Sequence, residues 1–441
     1  MPRHLLQTLP DATAYWVAFS GGMDSQVLLH ALAAIRAPLG VPLGAVHVHH
    51  GLQDEADAWD AHCERVAREL DCEYVLLPVT VERTHTDGLE AAAREARYQV
   101  LRDWLPSGAA LLTAHHQRDQ AETLLLQLLR GSGPKGLAGM PFSQAFGRGQ
   151  LLRPWLDTPY ARLQAYAEQA GLAWIEDPSN ASVAFARNRL RHELMPAIRE
   201  FWPALDGVLA RTARHQATAS HLLDDLAEVD FAPCQVKPED SLNLSVTALL
   251  DLSAGRRDNV LRFWIHRQGF RLPSEKLLRR ITPELLQARA DAEPCVTWPG
   301  AELRRYRDQL SLMSPLPAIP ADWQTPLPEG PLDLPAGGCL QPQTLSGQGI
   351  AQSRLARGTW RLVYRRGGER LQPLGAAHSR SLKQLFQEAG VPPWLRDRMP
   401  LVYCDAELVA VADRWVAAEF AARAEAEGRL FHWEFPASAD C

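Results

Sequence analysis

No run of about 18 apolar residues occurs in the 441-residue chain, so the sequence predicts no membrane-spanning helix. Met1 to Pro10 holds no apolar core of signal-peptide length, and a cytoplasmic location follows from that reading. The seven cysteines are Cys63, Cys72, Cys234, Cys295, Cys339, Cys404 and Cys441, and none forms a C-x-x-C pair. Such scatter fits neither a disulfide framework nor a zinc or iron–sulfur site. An excess of positive charge is also missing: the formal net charge is −6. A polyanion would have to meet a local basic surface. What remains is a globular composition, 46% apolar and 22% charged, with length for about three domains of ~150 residues.

The stretch that organises the chain is Trp16-Val17-Ala18-Phe19-Ser20-Gly21-Gly22-Met23-Asp24-Ser25. It reads as a strand, a glycine turn and a helix start. Val27, Leu28, Ala31, Leu32 and Ile35 then fall on one stripe at helical spacing. Unpaired N–H groups at a helix start attract an anion, and paired glycines let backbone approach a phosphate. Ser20 and Ser25 add hydroxyl donors. Asp24 would repel a phosphate unless a cation stands between them, which points to magnesium. The plainer alternative is a strand-to-helix turn capped by Asp or Ser. This loop matches neither G-x-x-x-x-G-K-[ST] nor G-x-G-x-x-G.

Further strands read at Leu43–His49, Tyr74–Val79 and Ala109–Ala114, with helices at Glu55–Leu70 and Leu89–Leu105. That alternation predicts an α/β domain with a parallel sheet. Ligands of such sheets gather at strand C-termini. His47, His49 and His50 lie at one such end, without the further ligand cluster that a metal site needs. Asp119 and Glu122 lie at another, three apart on one helix face. They either complement the helix dipole or hold magnesium or an ammonium group. Arg130 to Leu137 reads as a mobile loop with two cations, suited to phosphate contact or serving as a plain linker. Arg187, Arg189 and Arg191 stack on one helical segment, as a solvated face or a polyanion contact. A long helix over Leu205–Ala227 opens a second domain, and Ser314 to Pro342 reads as a proline- and glycine-rich linker. Beyond it Arg354, Arg357, Arg361, Arg365, Arg366 and Arg370 make a basic surface. The domains are set at 1–203, 204–313 (mainly helical), a 314–345 linker, and 346–441 (α+β).

Ser-Gly-Gly-Met-Asp-Ser looks like the pyrophosphate loop (PP-loop) of the ATP pyrophosphatases, and several motifs narrow the likeness. They are His47-Val-His-His-Gly-Leu52, Glu90-Ala-Ala-Ala-Arg94, Thr113-Ala-His-His116 with Asp119-Gln-Ala-Glu-Thr123, and Leu129-Arg-Gly-Ser-Gly-Pro-Lys-Gly-Leu137. Glu176-Asp-Pro-Ser-Asn180, Phe185-Ala-Arg-Asn-Arg-Leu-Arg191 and the run from Ser381 to Arg396 complete the set. Together they make the chain resemble the tRNA(Ile)-lysidine synthase family over nearly its whole length. It departs from the family pattern at His49, where asparagine is usual, and at Arg118, where a second aspartate is frequent.

The resemblance implies a PP-loop fold of the adenine nucleotide α-hydrolase type. It implies ATP with Mg²⁺ on Ser20, Gly21, Gly22, Met23, Asp24 and Ser25, with His47 nearby and Asp24 reaching the metal through ATP. The cytidine at the first anticodon position of an isoleucine tRNA (CAU) is adenylated, and free L-lysine displaces AMP to give lysidine. Asp24, Asp119, Glu122 and Arg94 would be catalytic, and His115, Asp119 and Glu122 would meet lysine. Lys135, Arg187, Asn188, Arg191, Lys383 and Arg396 would meet tRNA. A homodimer stays open. Rival readings are a tRNA thiolase, which expects cysteine pairs, an amidotransferase-type synthetase, which expects an early nucleophilic cysteine, and a catalytically silent tRNA-binding module.

Overall fold

The computed structural model describes residues 1–49, 56–79, 89–176, 186–237, 240–289 and 292–435. The chain forms two compact units, Met1–Leu222 and Leu223–Cys441. Among the described residues no helix is long and apolar enough to cross a membrane.

In the first unit the strands are β1 (Tyr15–Ala18), β2 (Leu43–His49), β3 (Glu73–Pro78), β4 (Ala110–Leu112), β5 (Ser143–Phe146) and β6 (Gly149–Leu152). They form one sheet in the order β3-β2-β1-β4-β6-β5. All neighbours are parallel except the β5–β6 hairpin at the edge. Helices Met23–Ala33, Ala56–Glu69 and Leu89–Trp104 follow β1, β2 and β3 in turn, as the alternation requires. Strand β5 was not foreseen; three of its four residues are exposed, which leaves little apolar signal.

Period-two alternation sorts the strand residues onto two buried faces. Val17, Ala45, Ala110 and Leu112 pack with Val27, Leu28, Ala31 and Leu32 of the first long helix. Trp16, Val46, Val48, Leu111 and Leu151 pack with Leu101 and Leu105 on the other side. Residue 44 must be glycine, because a Cβ there would stand 2.2 Å from a Trp16 ring carbon. Trp16 in turn meets Trp104 edge-on at 4.8 Å between centroids. Truncating Trp16 to alanine would cost about 3–5 kcal/mol.

In the second unit the middle segment is mainly helical, as expected, with helices Val246–Asp251, Ala254–Arg267 and Glu275–Ile281, and it carries a small sheet as well. Strands β7 (Asn243–Ser245), β8 (Cys295–Trp298), β9 (Ala301–Tyr306) and β10 (Gln309–Met313) make a sheet in the order β7-β10-β9-β8. Its apolar residues share a core with the buried Trp264 of helix Ala254–Arg267. The stretch expected as a 314–345 linker is built into sheets instead. Gln324–Pro326 pairs with Trp360–Val363, and Cys339–Ser346 pairs along its length with Glu427–Glu434. Pro342 is tolerated because the strand on its other side pairs only with Cys339 and Leu340, leaving that edge open. The long helix runs Leu205–Cys234, past the predicted Ala227.

Candidate active site

Strand β1 ends where Phe19 takes over. Its N–H donates to Val46 O at 2.9 Å, and its carbonyl accepts from His47 Nδ1 at 2.8 Å. Burial pushes the His47 pKa down, so the ring is neutral and donates through Nδ1. The contact seen for His47 is therefore an anchor for the strand end. Gly21 follows at φ +79, where a Cβ would meet Ile175 Cδ1 at 2.8 Å. Its carbonyl accepts from Ile175 N–H at 3.0 Å. Gly22 precedes helix Met23–Ala33, which has no side-chain cap. Ser25 Oγ donates to Gly22 O at 2.9 Å and lies 3.2 Å from Ser20 Oγ. The serines fold the loop and leave the helix start available to an anion.

The sheet order makes the chain leave β1 toward β2 on one side and return as β4 on the other. The crevice at this switch point is where open α/β sheets bind ligands. It brings the segment after β4 against the segment after β1. His116, 2% exposed, caps helix Gln117–Leu129. Its Nδ1 accepts from Arg118 N–H at 3.2 Å, and its own N–H donates to Asp119 Oδ2 at 3.0 Å. Since Nδ1 accepts, the proton sits on Nε2, 3.3 Å from Asp119 Oδ2 and 3.5 Å from Asp24 Oδ2. Burial opposes charging this ring, but the Asp119 and Asp24 carboxylates prevail and raise its pKa. His116 was not among the candidate residues. Its signal was a capping-box spacing, a polar residue with an acid three positions on.

Asp119 and Glu122 are buried and already partnered. Arg187 Nε donates to Glu122 Oε2 at 2.9 Å, and Arg191 Nε to Oε1 at 2.6 Å. Both Nη2 groups donate to Asp119 Oδ1 at 3.1 Å. Burial alone would raise the Asp119 pKa, yet His116, His115, Arg187 and the His116 amide hold it well below the carboxylate range. Arg187 and Arg191, expected at tRNA, are turned onto the acids expected at lysine. They sit four apart on turn Ala186–Arg189 and the π-helical turn Leu190–Leu194. Asn188 also has a partner.

His115 lies beside this cluster, with Nδ1 2.8 Å from Thr113 Oγ1. Burial pushes its pKa down to about 3, and Arg153, Arg187 and Arg94 add to the effect against Asp119. Arg94 thus lies within electrostatic reach of the site, though it is exposed and packs over Tyr98 at 5.0 Å. Lys135 is exposed on a helical turn, Pro134–Leu137. The loop predicted to be mobile is folded back, with Ser132 Oγ donating to Gln127 Oε1 at 2.7 Å. His49 Nε2 lies 3.1 Å from Asp57 Oδ1. In the second unit Lys383 is exposed. Arg396 instead donates to Val391 O at 2.8 Å and Tyr306 Oη at 3.1 Å. The predicted basic surface is partly neutralised, with Arg365 on Asp397 at 2.8 Å and Arg366 on Asp322 at 3.4 Å. His50-Gly51-Leu52, Asp177-Pro-Ser-Asn180 and Phe185 lie outside the described residues.

A cation has one natural foothold here. Asp24 Oδ1 is buried with no hydrogen-bond partner among the described residues. No three metal-binding side chains converge among those residues, so phosphate oxygens of a bound nucleotide would have to complete the coordination.

Comparison with known proteins agrees with this geometry. A family described as a PP-loop domain matches residues 3–198. A TilS substrate binding domain matches residues 244–311, and a TilS substrate C-terminal domain residues 360–433. The tRNA(Ile)-lysidine synthase of Alkalilimnicola ehrlichii is 45% identical over 428 residues, 96% of this chain and 94% of that protein. Those of Methylococcus capsulatus and Coxiella burnetii are 42% and 39% identical, covering 96% and 97% of this chain and 97% and 95% of theirs. Three matched segments in order, and relatives aligned almost end to end, leave one assignment: the chain belongs to the tRNA(Ile)-lysidine synthase family.

Proposed function

We propose that the strand-end crevice of the first unit forms lysidine on an isoleucine tRNA with a CAU anticodon, in two chemical steps. The observation that carries this reading is the meeting of Asp24, His116 and Asp119 beside an uncapped helix start. ATP lies on the Ser20–Ser25 loop, its phosphates on the helix amides. The O2 of the first anticodon cytidine attacks the α-phosphorus, and pyrophosphate leaves. Asp24 holds the magnesium that accompanies ATP; bound there, the ion neutralises phosphate charge. The target base must leave the anticodon stack to reach the loop.

The ε-amine of free L-lysine then attacks C2 of the adenylated cytidine, and AMP leaves. An ammonium has no lone pair, so one proton must be removed first. Asp119, held strongly ionised, is a poor proton acceptor and suits holding the ammonium. Glu122 holds the same two guanidinium groups more closely, so either acid takes the proton only once its arginine contacts have rearranged. Lysine shares these acids with Arg187 and Arg191, so its binding displaces or rearranges guanidinium contacts. Lys135 and Lys383 supply exposed cations for the tRNA backbone, and the reaction takes place in the cytoplasm.

The test is labelled-lysine incorporation into unmodified isoleucine tRNA with ATP and Mg²⁺. Incorporation into the CAU species supports the reading. Pyrophosphate release without lysine transfer overturns the lysine step, and neither product from folded protein leaves a silent tRNA binder.

A further inference from the structure

We infer that Arg118, placed over the ring of Tyr160, binds the departing pyrophosphate half of ATP. The inference rests on the ATP reading above and adds to it a residue, a position and a direction of departure.

Arg118 is the second residue of helix Gln117–Leu129, next to the His116 cap. Its Cζ lies 4.0 Å from the Tyr160 ring centroid. Tyr160 opens helix Tyr160–Gln169, which follows β6, the neighbour of β4. The Tyr160 and His116 ring centroids are 5.3 Å apart, and His116 Nε2 is 3.5 Å from Asp24 Oδ2. Arg118, Tyr160, His116 and Asp24 therefore form one contiguous row leading to the loop. Burial and Asp24 raise the Tyr160 pKa while Arg118 and Arg191 oppose them.

A guanidinium carries five N–H donors in its plane, and at least one of them lacks an acceptor here. Arg118 Nε is buried with no hydrogen-bond partner among the described residues. Asp206 Oδ2, its ion-pair contact, is 4.0 Å away. Asp206 is already held by Arg199, through contacts at 2.8 and 3.1 Å. The other nearby acids, Asp119 and Glu122, belong to Arg187 and Arg191. A charged donor left unsatisfied is costly, and a fixed cation over an aromatic ring needs little reorganisation to receive an anion. A triphosphate tail leaving the Ser20–Ser25 loop supplies oxygens of the right charge. As the bond between the α-phosphorus and the bridging oxygen breaks, its electron pair passes to the β-phosphate. Arg118 then meets the oxygens on which charge accumulates. No proton is transferred. Tyr160 acts as a positioning residue.

The experiment uses the full-length enzyme with isoleucine tRNA and reads tRNA-dependent pyrophosphate release, with inhibition by inorganic pyrophosphate and by AMP measured alongside. Arg118→Ala is expected to raise the KM for ATP about tenfold or more. It should weaken inhibition by pyrophosphate to a similar degree and leave inhibition by AMP and the KM for tRNA within about twofold. Arg118→Lys should restore part of the loss. Tyr160→Leu, which removes the platform, should reproduce it in weaker form. An unchanged ATP KM in a folded, active Arg118→Ala variant overturns the inference. So does a change confined to the KM for tRNA, which would place an RNA phosphate on Arg118. Equal weakening toward AMP and pyrophosphate overturns it too, as the mark of a general disturbance of the site. A wild-type enzyme that releases no pyrophosphate would refute the ATP reading itself, a result separate from any of these.

Discussion

His116 Nε2 stands 3.5 Å from Asp24 Oδ2, which ties the segment after β4 to the loop after β1 across the crevice. The contact is long for a hydrogen bond, and the other Asp24 oxygen has no partner among the described residues. Asp24 therefore does little to hold the fold together. Asp24→Asn is expected to lower tRNA-dependent pyrophosphate release about 100-fold or more, while the thermal midpoint stays within about 0.5 kcal/mol equivalent. His116 loses one of the carboxylates that raise its pKa, so its ring should titrate at lower pH by NMR. Undiminished pyrophosphate release would remove Asp24 from the chemistry.

Glu122 is fully buried, and its charge is matched by Arg187 and Arg191. Removing it strands two guanidinium groups that are only partly open to water. Breaking a buried pair costs about 3–5 kcal/mol, and partial exposure of the arginines brings the expectation to about 3 kcal/mol. Glu122→Ala should thus lower the calorimetric transition of the first unit by several degrees, and Glu122→Gln by less. Lysine incorporation should fall in both. An unchanged transition would mean that the arginines find water or other acceptors without loss.

His115 gives the first unit an acid limb. Its pKa in the fold, about 3, lies below the unfolded value of about 6.5. As pH falls through 6.5 the unfolded chain takes up a proton that the folded chain refuses, so stability declines from there toward pH 3. Asp119 adds a loss of the same sign only below about pH 4. His116 has the opposite sign: its raised pKa stabilises at low pH and is lost as pH rises through the folded value. His47, also pushed down by burial, adds to the same limb, so His115→Gln, which keeps a polar partner for Thr113, should reduce but not abolish the slope of unfolding midpoint against pH between 6.5 and 4. Above pH 7 the two curves should run parallel. An unaltered acid limb would assign it to other groups.

The loop and the strand ends were readable because their signals are local. Two glycines between an apolar run and a helical stripe identify a strand, a turn and a helix without any partner. Asp119 and Glu122 were readable for the same reason, a three-residue spacing on one helix. What closes on them was not. The four-residue spacing of Arg187 and Arg191 placed both on one face but not against which surface, and the acids they meet lie far back in the chain. The π-helical turn at Leu190–Leu194 also breaks the 3.6-residue period that such readings use. Strand Cys339–Ser346 was lost to Pro342 and the glycines that flank it, because its pairing depends on Glu427–Glu434 near the other end of the second unit.

Arg396 and Lys383 were both expected at tRNA, yet they have different surroundings. Arg396 is half-buried, donates to Val391 O and Tyr306 Oη, and its Cζ lies 5.5 Å from the Tyr306 ring. It fastens the segment after helix Leu382–Glu388 to strand β9. Lys383 is exposed on that helix. Arg396→Ala should cost the second unit about 1–3 kcal/mol, read as a lower unfolding midpoint. Its tRNA affinity, per folded molecule, should keep its dependence on salt. Lys383→Ala should leave the midpoint alone and, if this lysine meets a phosphate, reduce the slope of log affinity against log salt by about one. Exchanged outcomes, a salt effect from Arg396 and a stability effect from Lys383, would reverse the two roles. The comparison thereby separates an arginine fixed in the fold from a lysine open to RNA, a distinction that charge counting along the sequence does not make.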